Sequence, residues 1–160
     1  MNIALWSDHR GVYVGRHLLN WFAQSEHAVI DVGGHAERPS DYPDVAFAVG
    51  QRVSAGLADF GVLVGGTGIG MAIAANKIPG IRAALVHDEI GAEMSRRHND
   101  ANVLCLAADM LGPRIIDSIM QKWLATPFER GRHERRVRKL GIIERGDDPT
   151  GVTDPASISD

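Results

Sequence analysis

Short apolar runs alternate along the chain with longer stretches in which apolar residues recur every three or four positions. The short runs have the length of buried strands, and the longer stretches have the period of amphipathic helices. This alternation predicts a parallel sheet that is covered by helices on both faces. We predict strands over residues 3–6, 28–32, 60–64, 81–86 and 102–107, and helical segments over residues 18–22, 42–55, 71–76, 88–97 and from Pro113 onward.

The number of strand–helix units sets the expected architecture. Five such units predict a doubly wound, Rossmann-like α/β fold, in which an open five-stranded parallel sheet carries helices on both faces and a further C-terminal helix follows. The chain has 160 residues, which suits one domain with a sizeable core. We expect that domain to span residues 1–144. Residues 145–160 are rich in Asp, Pro, Ser, Thr and Gly, which predicts a polar, flexible tail.

Composition and charge narrow the possible function classes. The net charge of -3 gives no general attraction to nucleic acids or anionic membranes. No apolar stretch approaches the roughly 20 residues of a membrane-spanning helix, and the first residues turn polar too soon for a secretion signal. Cys105 is the single cysteine, so no disulfide can form within the chain, and we expect a cytoplasmic location. We expect neither a nucleic-acid nor a membrane partner.

A glycine-rich turn, Gly65-Gly66-Thr67-Gly68-Ile69-Gly70, joins the third predicted strand to the next helix. Glycines let backbone N–H groups converge, and a helix start adds partial positive charge, so the turn favours an anion such as a phosphate or an enolate oxygen. The alternative is a tight turn without a ligand. The Gly-Lys-Ser/Thr of nucleoside-triphosphate loops is absent, and the glycines follow G-x-G-x-G, not the dinucleotide spacing G-x-G-x-x-G. Asp88, at the end of the following strand, keeps a dinucleotide-binding protein as a weaker alternative.

Further polar residues follow the carboxyl ends of strands, where ligands bind in such sheets. Asp8 and His9 end the first strand, and they suit either a helix cap or phosphate binding and proton transfer. Asp41 and Tyr42 lie in the loop after the second strand, where Asp41 also suits a helix cap. His98 precedes the fifth strand, at the opposite edge of the sheet from the glycine turn. If both serve one substrate, they come from different subunits or the loop reaches around the edge.

A basic run covers residues 130–139, and Arg132, Arg136 and Lys139 share one helical face. Such runs are usually solvated or bind polyanions. Aromatic residues are not interleaved with this run, which argues against RNA binding. A single basic helix in an acidic chain also suits the binding of one substrate phosphate by arginine.

Several separated motifs follow one another along the chain. They are Ser7-Asp8-His9-Arg10-Gly11, Ser40-Asp41-Tyr42-Pro43, Gly66-Thr67-Gly68-Ile69-Gly70, Ala74-Ala75-Asn76-Lys77 with Gly80-Ile81-Arg82-Ala83, His98-Asn99-Asp100-Ala101-Asn102-Val103, and Gly131-Arg132-His133 with Arg136. In this order they resemble type B ribose-5-phosphate isomerase and the related galactose-6-phosphate isomerase subunits. The resemblance covers nearly the whole chain, and the set of motifs is more specific than any one glycine turn.

The resemblance implies an aldose–ketose isomerase that acts on a small phosphorylated sugar, of the ribose 5-phosphate/ribulose 5-phosphate type, through an enediolate. It implies no metal and no organic cofactor. It also implies a homodimer with sites shared between subunits, which agrees with the position of His98, and such dimers can pair further into tetramers. The implied catalytic residues are His98, which would help to open the sugar ring, and Thr67, whose hydroxyl would hold an enediolate oxygen. The implied substrate-binding residues are Asp8, His9, Asp41, Tyr42, Gly65, Gly66, Thr67, Gly68, Ile69, Gly70, Asn99, Arg132 and Arg136.

The chain departs from this family at the positions of the proton-transferring base. Relatives commonly keep a cysteine just before Gly-Thr-Gly, where this chain has Gly65, or a glutamate just after the third glycine of the turn, where it has Met71. Cys105 does not substitute, because it lies within the fifth predicted strand. Many relatives also carry an arginine at the position of Asp109, and an aspartate there would repel a phosphate.

Three hypotheses follow from these departures. The chain is an isomerase with a relocated base, for which Asp8, Asp41 and His9 are the candidates. Alternatively, it is a non-catalytic homologue that binds a sugar phosphate. In the third hypothesis it is one subunit of a heteromeric isomerase whose partner supplies the base.

Overall fold

A computed structural model describes residues 1–33 and 39–153 of the chain. The elements are β1 (Asn2–Ser7), α1 (Val12–Phe22), β2 (Ala28–Gly33), α2 (Tyr42–Ser54), β3 (Phe60–Gly65), α3 (Ile69–Ala75), β4 (Ala83–Leu85), α4 (Glu89–Asn99), β5 (Val103–Ala107), α5 (Pro113–Ala125) and α6 (Arg132–Glu144). The strands are parallel and form one sheet in the order β2-β1-β3-β5-β4. The predicted doubly wound, Rossmann-like fold is confirmed. Residues 154–160 of the predicted tail lie outside the described residues.

Two apolar cores lie on the two faces of the sheet. One face packs against α1, α4 and α5, where Leu18, Ile116 and Trp123 are fully buried. The other face packs against α2 and α3, where Val49 and Met71 are buried. The central strands β3 and β5 are apolar and buried on both sides, as parallel strands between two helix layers must be. Because both faces are filled, space for a ligand remains at the ends of the strands.

Several elements differ in length from their predictions, and the first helix begins at Val12 instead of residue 18. The strand predicted over residues 81–86 is limited to Ala83–Leu85, because the amide of Ile81 bonds the Ile78 carbonyl and the amide of Arg82 bonds the Asn102 side chain. The fourth helix continues past residue 97 to Asn99, so His98 lies on its last turn.

The outer strand β4 pairs with β5 on one side and with a side chain on the other. The Asn76 amide group, at the end of α3, donates to the Ala83 carbonyl and accepts from the Ala83 amide, both at 2.9 Å. It also donates to the Ala72 carbonyl at 2.9 Å, which holds it against its own helix. One side chain thereby extends the hydrogen-bond pattern of the sheet beyond its last strand.

Helix α6 lies beside α4, apart from the two cores. His133 is its buried residue. Its Val137 and Leu140 line a surface cavity of about 420 Å³ that reaches to the edge of β4. None of the helices within the described residues is long and apolar enough to cross a membrane.

Candidate active site

The loops that follow β1, β3 and β5, together with the start of α2, enclose a cleft of about 490 Å³. It lies at the carboxyl ends of the strands, where doubly wound folds bind their ligands. Arg10, Ser40, Met71 and Asp109 form part of its wall. Most of the predicted substrate-binding residues also line it, namely Asp8, His9, Asp41, Tyr42, Gly65, Gly66, Thr67, Gly68 and Gly70.

Asp8 is held in this cleft by its own loop. Its amide donates to the Val64 carbonyl at 3.0 Å, which ties the end of β1 to the end of β3. Its Oδ1 accepts from the amides of Arg10 and Gly11 at 2.9 and 3.0 Å, and the residue is only 8% exposed. Its Oδ2 points to the space above Gly65, since a Cβ at residue 65 would lie 3.1 Å from it. The fold therefore presents one carboxylate oxygen to the position of the missing side chain.

The glycine turn is shaped by close packing as well as by its backbone angles. Gly68 has a φ of +71°, and a Cβ there would lie 2.6 Å from Leu85 Cδ1. Gly70 carries the ring of Tyr42, because a Cβ at residue 70 would approach that ring to 2.9 Å. Tyr42 and the turn therefore form one continuous wall of the cleft.

Two residues of the turn behave differently from each other. Thr67 is exposed to the cleft, and its hydroxyl accepts a bond from the Ile69 amide at 3.4 Å. Ile69 does not line the cleft, and its predicted role in substrate binding stays a prediction. Its side chain is 52% exposed on α3, outside the cleft, and its N–H already has the Thr67 hydroxyl as a partner.

Asp109 is paired with Arg10, whose positive charge offsets the repulsion that the carboxylate would exert on an anion. Its Oδ2 accepts from Arg10 Nε at 2.9 Å and from Arg10 Nη2 at 2.6 Å. The pair crosses the turn above Gly66, where a Cβ would lie 2.7 Å from Arg10 Nε and from Asp109 Oδ2. The sequence signal for this pair is the opposite charge just beyond the ends of two strands that flank β3.

A second group of predicted site residues gathers around His133. The rings of His98 and His133 are stacked, with centroids 4.1 Å apart and planes within 1°. Arg132 Nε donates to His133 Nε2 at 3.4 Å, and Arg136 Nη1 lies 3.5 Å from His133 Nδ1. His133 was not among the predicted site residues, although it stands in the quoted motif. Its burial at 2% exposure is what makes it the centre of this group.

The end of α4 is anchored, which fixes the place of His98. Arg96 is 7% exposed and lies over the rings of Phe60 and Trp123, with Cζ 4.7 and 5.5 Å from their centroids. It also donates to Asp100 Oδ1 at 2.8 Å and to the Ala101 carbonyl at 2.7 Å. The last turn of α4 is therefore held on both sides, and His98 cannot swing around the sheet without breaking these contacts.

The two groups of residues lie at opposite ends of β5. His98 and Asn99 precede this strand, whereas Asp109 and the cleft follow it. The strand has five residues and so separates its two ends by about 16 Å. Within one chain, His98, Asn99, Arg132 and Arg136 do not line the cleft that holds the other predicted residues.

Comparison with known proteins identifies the family. Residues 3–140 match the ribose/galactose isomerase family. The chain belongs to this family. The ribose-5-phosphate isomerase B of Escherichia coli (strain K12) is 37% identical over 143 residues, which cover 89% of this chain and 96% of that protein. The predicted enzyme class, a sugar-phosphate isomerase, is thereby confirmed.

Two solved structures show how far the similarity to this isomerase family extends. The ribose-5-phosphate isomerase B of Clostridium thermocellum has a TM-score of 0.90 at 42% identity, covering 91% of this chain and 99% of that chain. The enzyme of Mycoplasma genitalium, solved with bound ribulose-5-phosphate, has a TM-score of 0.87 at 37% identity, covering 90% and 96%.

Neither expected position of the isomerase base carries a proton-transferring group. Gly65 has no side chain, and Met71 is an apolar residue at 1% exposure in the core beside α2. Cys105 is fully buried in β5, and burial raises the pKa of its thiol. Asp8 is the candidate base with an oxygen at the empty position of residue 65.

The charge around His133 favours an anion over a metal cation. Ligand atoms of His98, Glu129 and His133 lie within 4.8 Å of one another, and they form a donor set that suits a transition metal. Arg97 nevertheless bonds Glu129 Oε2 through Nε at 2.9 Å and Nη2 at 2.6 Å, which lowers the pKa of Glu129. Two more arginines flank the histidines. The absence of a metal from the reaction stays a prediction.

The state of His133 follows from its surroundings. Burial, and then the charge of His98, lower the pKa of His133 below its ordinary value. Near neutral pH the ring is therefore uncharged, and its one unprotonated nitrogen can accept a hydrogen bond from one of the two arginines.

Asp88, which kept dinucleotide binding open, has a structural partner. Its Oδ1 accepts from the Gly91 amide at 2.6 Å and so caps α4. A carboxylate in this role is less available to a ribose hydroxyl.

Proposed function

We propose that this isomerase interconverts an aldose phosphate and a ketose phosphate of the ribose 5-phosphate/ribulose 5-phosphate type, with Asp8 as the base. The observation that carries the proposal is the place of Asp8 Oδ2, which is 3.1 Å from where a side chain at residue 65 would begin. The bound ribulose-5-phosphate in the Mycoplasma genitalium relative supports the substrate class.

In the proposed reaction, Asp8 Oδ2 takes the proton from C2 of the open-chain aldose. The electrons of that C–H bond form the C1=C2 double bond of the enediolate, while the electrons of the C1 carbonyl move onto O1. A proton then passes from O2 to O1, the electrons on O2 form the C2 carbonyl, and the former double bond takes the proton from Asp8 at C1 to give the ketose. The Asp8 carboxylate suits this exchange because its Oδ1 is fixed by two amides and only Oδ2 faces the cleft. The Thr67 hydroxyl and the amides of the glycine turn offer donors to the enediolate oxygens.

The complete site is proposed to form between two copies of the chain. His98, for ring opening, and Arg132 and Arg136, for the phosphate, lie too far from the cleft of their own chain. A second copy that places its α4 and α6 against the cleft would supply them. The exposed Ile69 and Ile73 share one face of α3 beside the cleft and provide apolar surface for such an interface.

Two finer expectations accompany the proposal. A cytoplasmic location is supported by Cys105, a free and fully buried thiol. A further pairing of dimers into tetramers stays a prediction.

Proton exchange with solvent tests the proposed reaction. The chain is incubated with ribose 5-phosphate in D₂O, and NMR follows deuterium at C2 of ribose 5-phosphate and at C1 of ribulose 5-phosphate. We expect exchange in the wild-type chain, and we expect Asp8→Asn to slow it by about 10²–10⁴-fold because the general base is lost. Asp41→Asn removes another carboxylate of the same cleft, and we expect it to slow the exchange less than Asp8→Asn does.

The other hypotheses give different results in the same experiment. Ribose 5-phosphate that binds without exchange would indicate a non-catalytic homologue. Exchange that starts only when a second family member is added would indicate a heteromeric enzyme. Exchange that is slowed by Asp41→Asn but not by Asp8→Asn would move the base to Asp41.

A further inference from the structure

The ion pair between Arg10 and Asp109 lies against the turn that forms the floor of the cleft. Arg10 Nε and Nη2 both donate to the same oxygen, Asp109 Oδ2, at 2.9 and 2.6 Å. Gly66 lies directly beneath, since a Cβ there would be 2.7 Å from Arg10 Nε and 2.9 Å from Arg10 Cδ. The guanidinium is therefore held across the turn, and it does not extend freely into solvent.

The fold itself does not require this pair. The side chains of Arg10 and Asp109 are 59% and 38% exposed. Ion pairs this open to water add little to folding stability, because water screens the charges and the long side chain loses freedom. A role in ligand binding accounts better for a contact that fixes a guanidinium within the cleft wall.

The charges of the cleft leave a role for Arg10. Among the described residues that line it, Asp8, Asp41 and Asp109 are acidic, and Arg10 is the one arginine or lysine. An anionic substrate that enters this cleft therefore meets more negative than positive charge unless Arg10 faces it. The bonds to Asp109 occupy Nε and one hydrogen of Nη2, which leaves Nη1 with both of its donors for a ligand.

We propose that Arg10 binds the phosphate of the substrate and that Asp109 is a positioning residue, which holds the guanidinium over Gly66. The substrate class rests on the proposed function, whereas the roles of the two side chains rest on their contacts. In this arrangement Asp109 assists anion binding, although its own charge opposes it. Phosphate contacts from Arg132 and Arg136 of a second copy would add to that of Arg10.

Binding to the full chain tests the proposal without any need for turnover. Isothermal titration measures the Kd of ribose 5-phosphate, of inorganic phosphate and of unphosphorylated ribose. We expect Arg10→Ala to raise the Kd of ribose 5-phosphate and of phosphate by about tenfold or more, because charge-assisted hydrogen bonds from the guanidinium are lost. The Kd of unphosphorylated ribose should be the same for the wild-type chain and for Arg10→Ala. Arg145→Ala is the matched control, since Arg145 and Asp147 form an exposed pair with side chains that are 65% and 67% exposed.

Asp109→Asn tests the positioning role. We expect a several-fold loss of phosphate affinity with an unchanged Tm, even though this variant removes a negative charge from the cleft. Tighter phosphate binding by Asp109→Asn would show that Asp109 only repels the ligand and would overturn that role. Equal affinities for Arg10→Ala and Arg145→Ala would overturn the role of Arg10.

The outcome is separable from that of the proposed reaction. Phosphate affinity that depends on Arg10, in a chain without deuterium exchange, would leave this inference standing and remove the isomerase reaction. Deuterium exchange together with a phosphate affinity that Arg10→Ala does not change would support the isomerase reaction and overturn the role of Arg10. A wild-type chain that binds neither ribose 5-phosphate nor phosphate would overturn both.

Discussion

Among single residues, Gly65 has the clearest consequence for the chemistry of the cleft. A Cβ there would lie 3.1 Å from Asp8 Oδ2 and 3.2 Å from Met71 Cγ, so a small side chain enters with slight displacement. We expect Gly65→Ala to lower the exchange rate, because the methyl group shields Asp8. Gly65→Cys fills the same space but adds a thiol, and we expect it to be faster than Gly65→Ala. Equal rates for the two variants, measured by NMR in D₂O, would argue against a base at this place.

His133 leads to a prediction about stability and pH. Its pKa is lowered in the folded chain, first by burial and then by the charge of His98. Below the ordinary histidine pKa of about 6.5, the unfolded chain therefore binds a proton that the folded chain does not. The contribution of neutral His133 to the free energy of unfolding is fully present above that pH, and it is lost as the pH falls below it. Arg97, Arg132 and Glu129 face the same cluster and are retained in the variant used to test this.

Thermal melts of wild type and His133→Asn between pH 5.5 and 7.5, about one unit either side of that pKa, check the prediction. We expect the Tm of wild type to fall more steeply toward acid than that of the variant. Parallel curves would mean that another group sets the acid response.

The sequence could predict where a residue lies in the fold when its position along a strand decides this. Asp8 and Tyr42 could be placed at the cleft because they follow strand ends, and parallel strands bring those ends together. His133 and Arg10 could not, since their importance comes from burial and from an ion pair between distant loops. Neither property is visible in a local pattern.

At the scale of elements, the connection from β3 to α3 depends on Gly68 for two separate reasons. Its φ of +71° disfavours any side chain, and its Cβ position is 2.6 Å from Leu85 Cδ1. Gly56 has nearly the same φ, +69°, with nothing within 4 Å. We expect Gly56→Ala to cost about 1–2 kcal/mol of stability from backbone strain alone. Gly68→Ala should cost about 1–3 kcal/mol more from overpacking.

Urea denaturation of the two glycine variants measures this difference. Equal losses would show that Leu85 yields to the added methyl group. The sequence indicated a turn here from its glycines, but it could not show which side chains press against them. The same limit explains β4, which is shortened by the Asn102 side chain from a neighbouring connection.

At the scale of the whole molecule, a shared site predicts that two inactive chains complement each other. Asp8→Asn disables the cleft, and His98→Ala disables the group at the other end of β5. A mixed dimer has one site with both defects and one site with neither. Co-refolding equal amounts should therefore restore about one quarter of the wild-type rate.

The matched control for complementation combines two defects from the same end of the sheet. Arg132 and His98 both contact His133 in one chain, so His98→Ala and Arg132→Ala should not rescue each other. A rescue by this second pair, or none by the first, would contradict the shared site. From the sequence, His98 and the glycine turn were expected at opposite edges of the sheet, so that either two subunits share the site or the loop reaches around the edge. The sequence could not show that Arg132 and His98 lie together.

The Asn76 side chain lowers the tendency of the folded chain to aggregate at high protein concentration. By bonding both the N–H and the carbonyl of Ala83, it occupies backbone groups that a strand from another molecule would otherwise find. Exposed sheet edges of this kind are templates for aggregation, and natural proteins cover them. Asn76→Ala should therefore raise light scattering on mild heating before the fold melts. The short helix α3 thus begins at the glycine turn of the candidate site and ends at Asn76, the side chain that covers the edge of the sheet.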